Sequence, residues 1–194
     1  MKRILIILFA MLALGSMSFA QDFVMSNGAE PTLDPTLFTD VASTNVGLGL
    51  FEGLMTYDPK TNKGIPAAAE DFPKISADGL TLTFKLRKNA TWSDGHPVTA
   101  KDFVYAMKRI LDPATGAEYA SFPGMVIKGA DDFNQGKGSF DNVGIKALDD
   151  YTLQYTLVGP APYAVDMMTH QAFWPVPQWA IEKSGNEWTK PANI

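Results

Sequence analysis

The chain has 194 residues, 46% of them hydrophobic and 19% charged, the balance of a folded globular protein with enough apolar mass for a core. Twenty-one Asp and Glu against 16 Lys and Arg give a net charge of −5, which argues against a surface built to neutralise nucleic-acid phosphates. The absence of cysteine excludes disulfides, thiolate metal sites, a cysteine nucleophile and a lipid-modified N-terminal cysteine.

The first twenty residues stand apart. Lys2 and Arg3 precede an apolar run, Ile4 to Leu14, and then small residues with Ser18 and Ala20 in the small-x-small pattern ahead of Gln21. Export machinery reads that order, and the run is too short to cross a hydrocarbon layer, which takes about 20 helical residues. Residues 1–20 are therefore expected to be a signal peptide cleaved after Ala20, leaving a periplasmic protein. No cysteine lies beside the cleavage site, which favours a free protein over a lipid-anchored one.

Phe23-Val24-Met25 reads as a first strand ended by the turn cluster Ser26-Asn27-Gly28. In Leu33-Asp34-Pro35 the proline keeps Asp34 out of the helical region, so an extended or turn element is expected. The apolar spacing of Val46, Leu50 and Leu54 predicts a helix over Thr44–Leu54 capped by Ser43 or Thr44, with three glycines that weaken it but admit close neighbours. Leu80, Leu82, Phe84 and Leu86 alternate with polar residues after an Asp78-Gly79 turn, the period of a strand with one buried face. The clearest helix is Ala100–Leu111, with Thr99 as N-cap, Asp102 three residues on, and Asp112-Pro113 as its stop. Val143–Ala147 and Leu153–Leu157 form a predicted hairpin around Asp149-Asp150. A helix is expected from Pro160 through Met168, an extended crossover at Pro175-Val176-Pro177, and a short helix Gln178–Lys183 closed by Gly185. No internal repeat is present.

Signals for covalent chemistry are missing. The two histidines, His96 and His170, form no local metal-binding pair, and there is no nucleophile elbow and no phosphate-cradling glycine loop. Glu70 with Asp71, Asp131 with Asp132 and Asp149 with Asp150 could serve glycoside hydrolysis only if buried, and neighbours in sequence usually belong to solvated turns. Trp92-Ser93-Asp94-Gly95-His96-Pro97 reads as architecture, a tight turn fixing a strand against the following helix. Most aromatic residues of the second half, among them Phe122, Phe133, Phe140, Tyr163, Phe173, Trp174 and Trp179, are expected in the core. Tyr119 is singled out, because it lies in a small, polar loop past the helix-ending proline, where a ring with a hydroxyl can line a cleft.

Together these segments carry a family resemblance. Leu33-Asp34-Pro35, Leu50 to Leu54, the long run Phe84 to Phe103, Leu153 to Leu157 with Pro160-Ala161-Pro162-Tyr163, and Pro175-Val176-Pro177 with Ala180 to Lys183 resemble the solute-binding proteins of ABC importers. Within that group the similarity is to the periplasmic oligopeptide-binding branch. The resemblance implies an α/β fold of the periplasmic-binding-protein type II, a Venus flytrap whose two lobes close over a peptide, with an extra domain of mixed strands and helices on one lobe. It divides the chain into a signal peptide (1–20), a first segment of lobe I (21–51), the extra domain (52–177) and a return into lobe I (178–194). Only the N-terminal part of the whole is then present, expected to be marginally stable and unable to close a cleft by itself.

The same resemblance implies no catalysis, no cofactor and no metal. Its partners are an oligopeptide ligand and the permease subunits in the inner membrane, with no nucleic acid, and the protein is expected to be a monomer. The loop carrying Thr39 and Val41 matches the stretch whose backbone runs beside the bound peptide, and Tyr119 matches a tyrosine bordering the peptide site. Thr39 replaces an acidic residue found there in similar members, so a side-chain contact is in doubt while a backbone contact survives. An ordinary surface loop accounts for Thr39 and Val41 equally well. The alternative within the family is a binding protein for dipeptides, nickel complexes or sugar oligomers. An exported hydrolase using carboxylates, and a holdase acting through exposed apolar surface, are readings from other classes.

Overall fold

A computed structural model describes residues 32–190, 192 and 193. The expected signal peptide with its cleavage after Ala20, and the expected strand at Phe23–Met25, lie outside the described residues. A 3₁₀ turn at Pro35–Leu37 leads into α1 (Val41–Leu50), and β1 (Met55–Tyr57) pairs with β2 (Gly64–Pro66) as a separate hairpin. Then follow β3 (Lys74–Ile75), β4 (Thr81–Lys85), α2 (Ala100–Leu111), a 3₁₀ turn at Glu118–Ala120, α3 (Ser121–Val126) and α4 (Ala130–Asn134). The chain continues through β5 (Ile145–Asp149), β6 (Thr152–Thr156), α5 (Ala164–Met167), a 3₁₀ turn at Gln171–Phe173 and α6 (Gln178–Ser184).

The core forms between α2 and an antiparallel sheet of order β3-β4-β6-β5. Alternation works as the sequence predicts: Leu82 faces Tyr155 and Phe84 faces Leu153 across the β4–β6 ladder, and all four are buried. Asp149 ends β5 and Asp150 begins the link to β6, both exposed, with a bulge between Ala147 and Asp149; Val143 is buried just ahead of the strand. One side of α2 sends Phe103, Met107, Ile110 and Leu111 into this core. Ala106 joins a second, smaller cluster with Val176, Ile181 and Trp188, so the helix is gripped on two sides. Its start is fixed by the Thr99 N–H, which donates to Asp102 Oδ2 at 2.7 Å, and Asp112 ends it in extended backbone ahead of Pro113. Burial raises the pKa of Asp102, opposed by the hydrogen bonds it accepts from Thr99 and the Trp92 indole.

Two expected helices are corrected. Helix α1 occupies Val41–Leu50 rather than Thr44–Leu54, because Asp40 is its cap: the carboxylate accepts from the Ser43 N–H at 2.8 Å and from the Ser43 hydroxyl at 2.7 Å. Its buried positions are Ser43 and Gly47, whereas Leu48 and Leu50 are exposed, so the apolar spacing marks the wrong face. Space explains this. A Cβ on Gly47 would meet Phe38 Cε2 at 2.1 Å, and one on Gly53 would meet Trp174 Cδ1 at 2.6 Å; the glycines leave room for rings from elsewhere. The helix expected from Pro160 to Met168 shortens to Ala164–Met167, since Pro160 and Pro162 lack N–H donors and restrict the residues before them.

The aromatic expectation holds for Phe173 and Trp174, which are buried, and for Phe122, Phe133 and Phe140, which pack against the core while partly exposed. Tyr163 is 59% exposed. Among the described residues no helix is long and apolar enough to cross a membrane.

Two measurements check this packing. Gly47→Ala is expected to destabilise the chain by about 2 kcal/mol through overpacking against Phe38. Gly49→Ala, with nothing within 4 Å of its added carbon, should stabilise it by about 0.5–1 kcal/mol; denaturant unfolding of both variants reads the difference. The Tyr155 hydroxyl has no hydrogen-bond partner among the described residues, and burial drives its pKa upward. Tyr155→Phe should therefore raise the unfolding free energy by about 1 kcal/mol in the same assay.

Candidate functional site

The site is built outward from a buried carboxylate. Asp34, in the Leu-Asp-Pro sequence, is 3% exposed, and its two oxygens accept from Arg109 in a two-pronged pair: Nη1 to Oδ1 at 2.8 Å and Nη2 to Oδ2 at 2.6 Å. The Trp188 indole donates to Oδ2 at 3.0 Å and the Thr36 N–H to Oδ1 at 3.1 Å. Pro35 sits in the first turn of the 3₁₀ element, where its missing N–H and fixed φ suit the geometry. The turn delivers Phe38 into the hole that Gly47 leaves, with its ring edge-on to Trp174 at 6.4 Å.

Beyond Phe38 the backbone emerges. Phe38 and Asp40 are extended, Thr39 is exposed and Val41 is 75% exposed. Among the described residues neither the N–H nor the C=O of Thr39 has a hydrogen-bond partner. The segment is nonetheless tied at both ends, by Asp34 on one side and on the other by Asp40, whose pKa is lowered chiefly by the Ser43 hydroxyl and then by the Ser43 N–H. The result is a short stretch of open main chain anchored on each side.

Tyr119 comes next to this segment through the fold, because its Glu118–Ala120 turn packs against the Pro35–Leu37 turn. It is half-buried in a 3₁₀ turn rather than a free loop: its ring meets Phe122 edge-on at 5.6 Å and His170 at 4.9 Å, and Phe122 stacks on His170 at 4.3 Å. The His170 Nδ1 accepts from the Ala172 N–H at 3.2 Å, capping the Gln171–Phe173 turn that also packs on Pro35–Leu37. Burial lowers the pKa of His170. Sequence reasoning names Thr39, Val41 and Tyr119 as candidates and gives no such role to Arg109, Trp188 or His170, which the fold brings to the neighbouring turns.

The other candidates stay apart. Glu70, Asp71, Asp131, Asp132, Asp149 and Asp150 are all exposed, as expected of solvated turns. Asp94 holds the Trp92–Pro97 turn together, accepting from the His96 N–H at 3.0 Å and from the Trp179 indole at 2.8 Å. A cleft of about 590 Å³ opens between the end of α1, residues 90–94 and the 175–180 segment, and none of Thr39, Val41 or Tyr119 lines it.

Residues 63–194 match the family described as bacterial extracellular solute-binding proteins, family 5 Middle. The periplasmic oligopeptide-binding protein OppA of Escherichia coli K12 is 43% identical over 176 residues, which are 90% of this chain and 32% of that one. The dipeptide-binding protein of Lactococcus lactis is 41% identical over 157 residues, 81% of this chain and 28% of that one. The crystal structure of Haemophilus influenzae OppA in complex with RPPGFSPFR superposes with a TM-score of 0.82 at 45% identity, over 87% of this chain and 33% of that one. The chain belongs to the family 5 solute-binding proteins, and its mixed α/β fold is that of the N-terminal part of the OppA type. It spans about a third of the length of the relatives it matches.

The cap made by His170 gives a pH dependence of defined sign. A histidine whose folded pKa lies below its unfolded value contributes stability above about pH 6.5 and loses it as pH falls through the folded value. Unfolding midpoints should therefore drop from pH 7 toward pH 5. His170→Asn, which keeps an acceptor without titrating, should flatten that fall.

Proposed function

We propose that this chain forms one side of the ligand site of a periplasmic solute-binding component that captures oligopeptides and hands them unchanged to the permease subunits of an ABC importer. In this reading residues 1–20 direct export and are removed after Ala20, and residues 21–51 and 178–194 belong to one lobe. Residues 52–177 form an added domain. Thr39, Val41 and Tyr119 border the peptide, with no catalytic step.

The observation that carries the reading is the open Thr39 main chain, exposed, flanked by the extended residues Phe38 and Asp40 and tied at both ends. An extended peptide recognised through its own N–H and C=O groups needs such an edge, and main-chain pairing accepts varied side chains. Relatives named for oligopeptides, dipeptides and a murein peptide support the ligand class.

The test joins this chain in frame to the part of Escherichia coli OppA that follows its match, and titrates the folded chimaera calorimetrically with short peptides. Binding is expected. Thr39→Pro removes one N–H while the preceding Phe38 is already extended, and it should weaken the peptide about three- to tenfold, the worth of one hydrogen bond. Thr39→Ala should change it less than twofold. A folded chimaera that binds no peptide, or that turns peptide over, overturns the function; equal binding by Thr39→Pro overturns the role given to the main chain.

A further inference from the structure

We infer that Arg109 and Trp188 are positioning residues for ligand capture, acting through Asp34 to hold the Phe38–Asp40 main chain in its open form, extended at Phe38 and Asp40. This rests on the peptide-binding reading above and adds residues that act through Asp34.

The inference starts from what the buried cluster does and does not achieve. Asp34 and Arg109 have side chains only 4% and 10% exposed, so both charges have lost most of their water. Such a pair adds little stability over apolar residues of the same size, since desolvation offsets the attraction. What it supplies is direction. A planar guanidinium engages both carboxylate oxygens in one orientation only, and the Trp188 indole and Thr36 amide occupy the remaining acceptor positions.

That orientation is passed along a short, stiff path. Pro35 restricts φ, the Leu37 N–H bonds to the Asp34 carbonyl at 2.9 Å, and Phe38 is locked among Gly47 and Trp174, so Thr39 has little freedom left. The far end is tied without an ion pair among the described residues, through Ser43, which also accepts from the Thr32 N–H at 3.1 Å. Asp40 bonds to Ser43 within α1 itself, and α1 leaves Val41, Leu48 and Leu50 at 75%, 57% and 59% exposure. Asp34 is thus the main tie between this segment and α2. If its hold is loosened, the extended form is populated only part of the time, and the apparent dissociation constant rises by the inverse of that fraction.

Two variants in the chimaera test this. Trp188→Phe deletes one donor and keeps a ring against Phe51, and Arg109→Lys keeps the charge and loses the fork. The readouts are peptide affinity and hydrogen exchange of the Thr36, Leu37 and Phe38 amides, all bonded within the turn. Trp188→Phe is expected to weaken peptide about threefold and Arg109→Lys about tenfold, with faster exchange at those three amides in the free protein and protection regained on ligand. Ile145→Val, in β5, lowers the unfolding midpoint without touching the turn and should change neither readout. Variants that behave like Ile145→Val at a matched midpoint overturn the inference. Because exchange is measured without ligand, unchanged turn amides in both variants overturn it even if the wild-type chimaera binds no peptide, an outcome that separately sinks the peptide reading.

Discussion

A carboxylate taken out of water needs donors, and Asp34 finds four of them on residues spread across the chain. Arg109 comes from the last turn of α2, Trp188 from beyond α6, and Thr36 from its own turn. Removing one partner from such a cluster strands a buried charge, which typically costs about 3–5 kcal/mol. The cluster therefore forces segments 75 and 154 positions apart in sequence to meet at one point. The position of the Pro35–Leu37 turn, of Phe38 and of the open backbone after it all follow from that meeting.

Around this point the packing is aromatic and close. Phe38 and Phe51 both pack on Trp174, Phe51 also meets Trp188, and the glycines of α1 and the following loop make the approach feasible. The sheet and α2 form a separate, larger core that holds no candidate site residue beyond the partly buried Tyr119. Binding groups carried on turns and held by a well-packed body are a common division of labour, since the body supplies precision and the turns supply access.

How much of this was legible in the sequence depends on the range of the interactions. Helix α2 was readable because its cap, its apolar stripe and its stop all lie within a few residues of one another, and the β4 and β6 strands because alternation is a local signal. Helix α1 was misplaced because its buried face is made by a serine and a glycine, whose burial depends on rings arriving from Phe38 and Trp174. The carboxylate pairs were rightly left in solvent. Thr39 and Val41 were named through family resemblance alone, since nothing in their local pattern marks them, whereas Tyr119 was also marked by its small, polar surroundings in sequence. Arg109 passed unnoticed because a basic residue in the last turn of a helix is ordinary, there to complement the helix dipole.

By itself, then, the sequence determined α2, the alternation of β4 and β6, the acidic, cysteine-free character and the turn chemistry of Leu33-Asp34-Pro35, because each follows from neighbouring residues and short-range sterics. Only the tertiary structure decided that Asp34 is buried, that Arg109 and Trp188 are its partners, that His170 packs on Tyr119, and that the Thr39 main chain is unpaired among the described residues. Burial and pairing at those distances arise from the packing of the whole chain, and no short window of residues contains them.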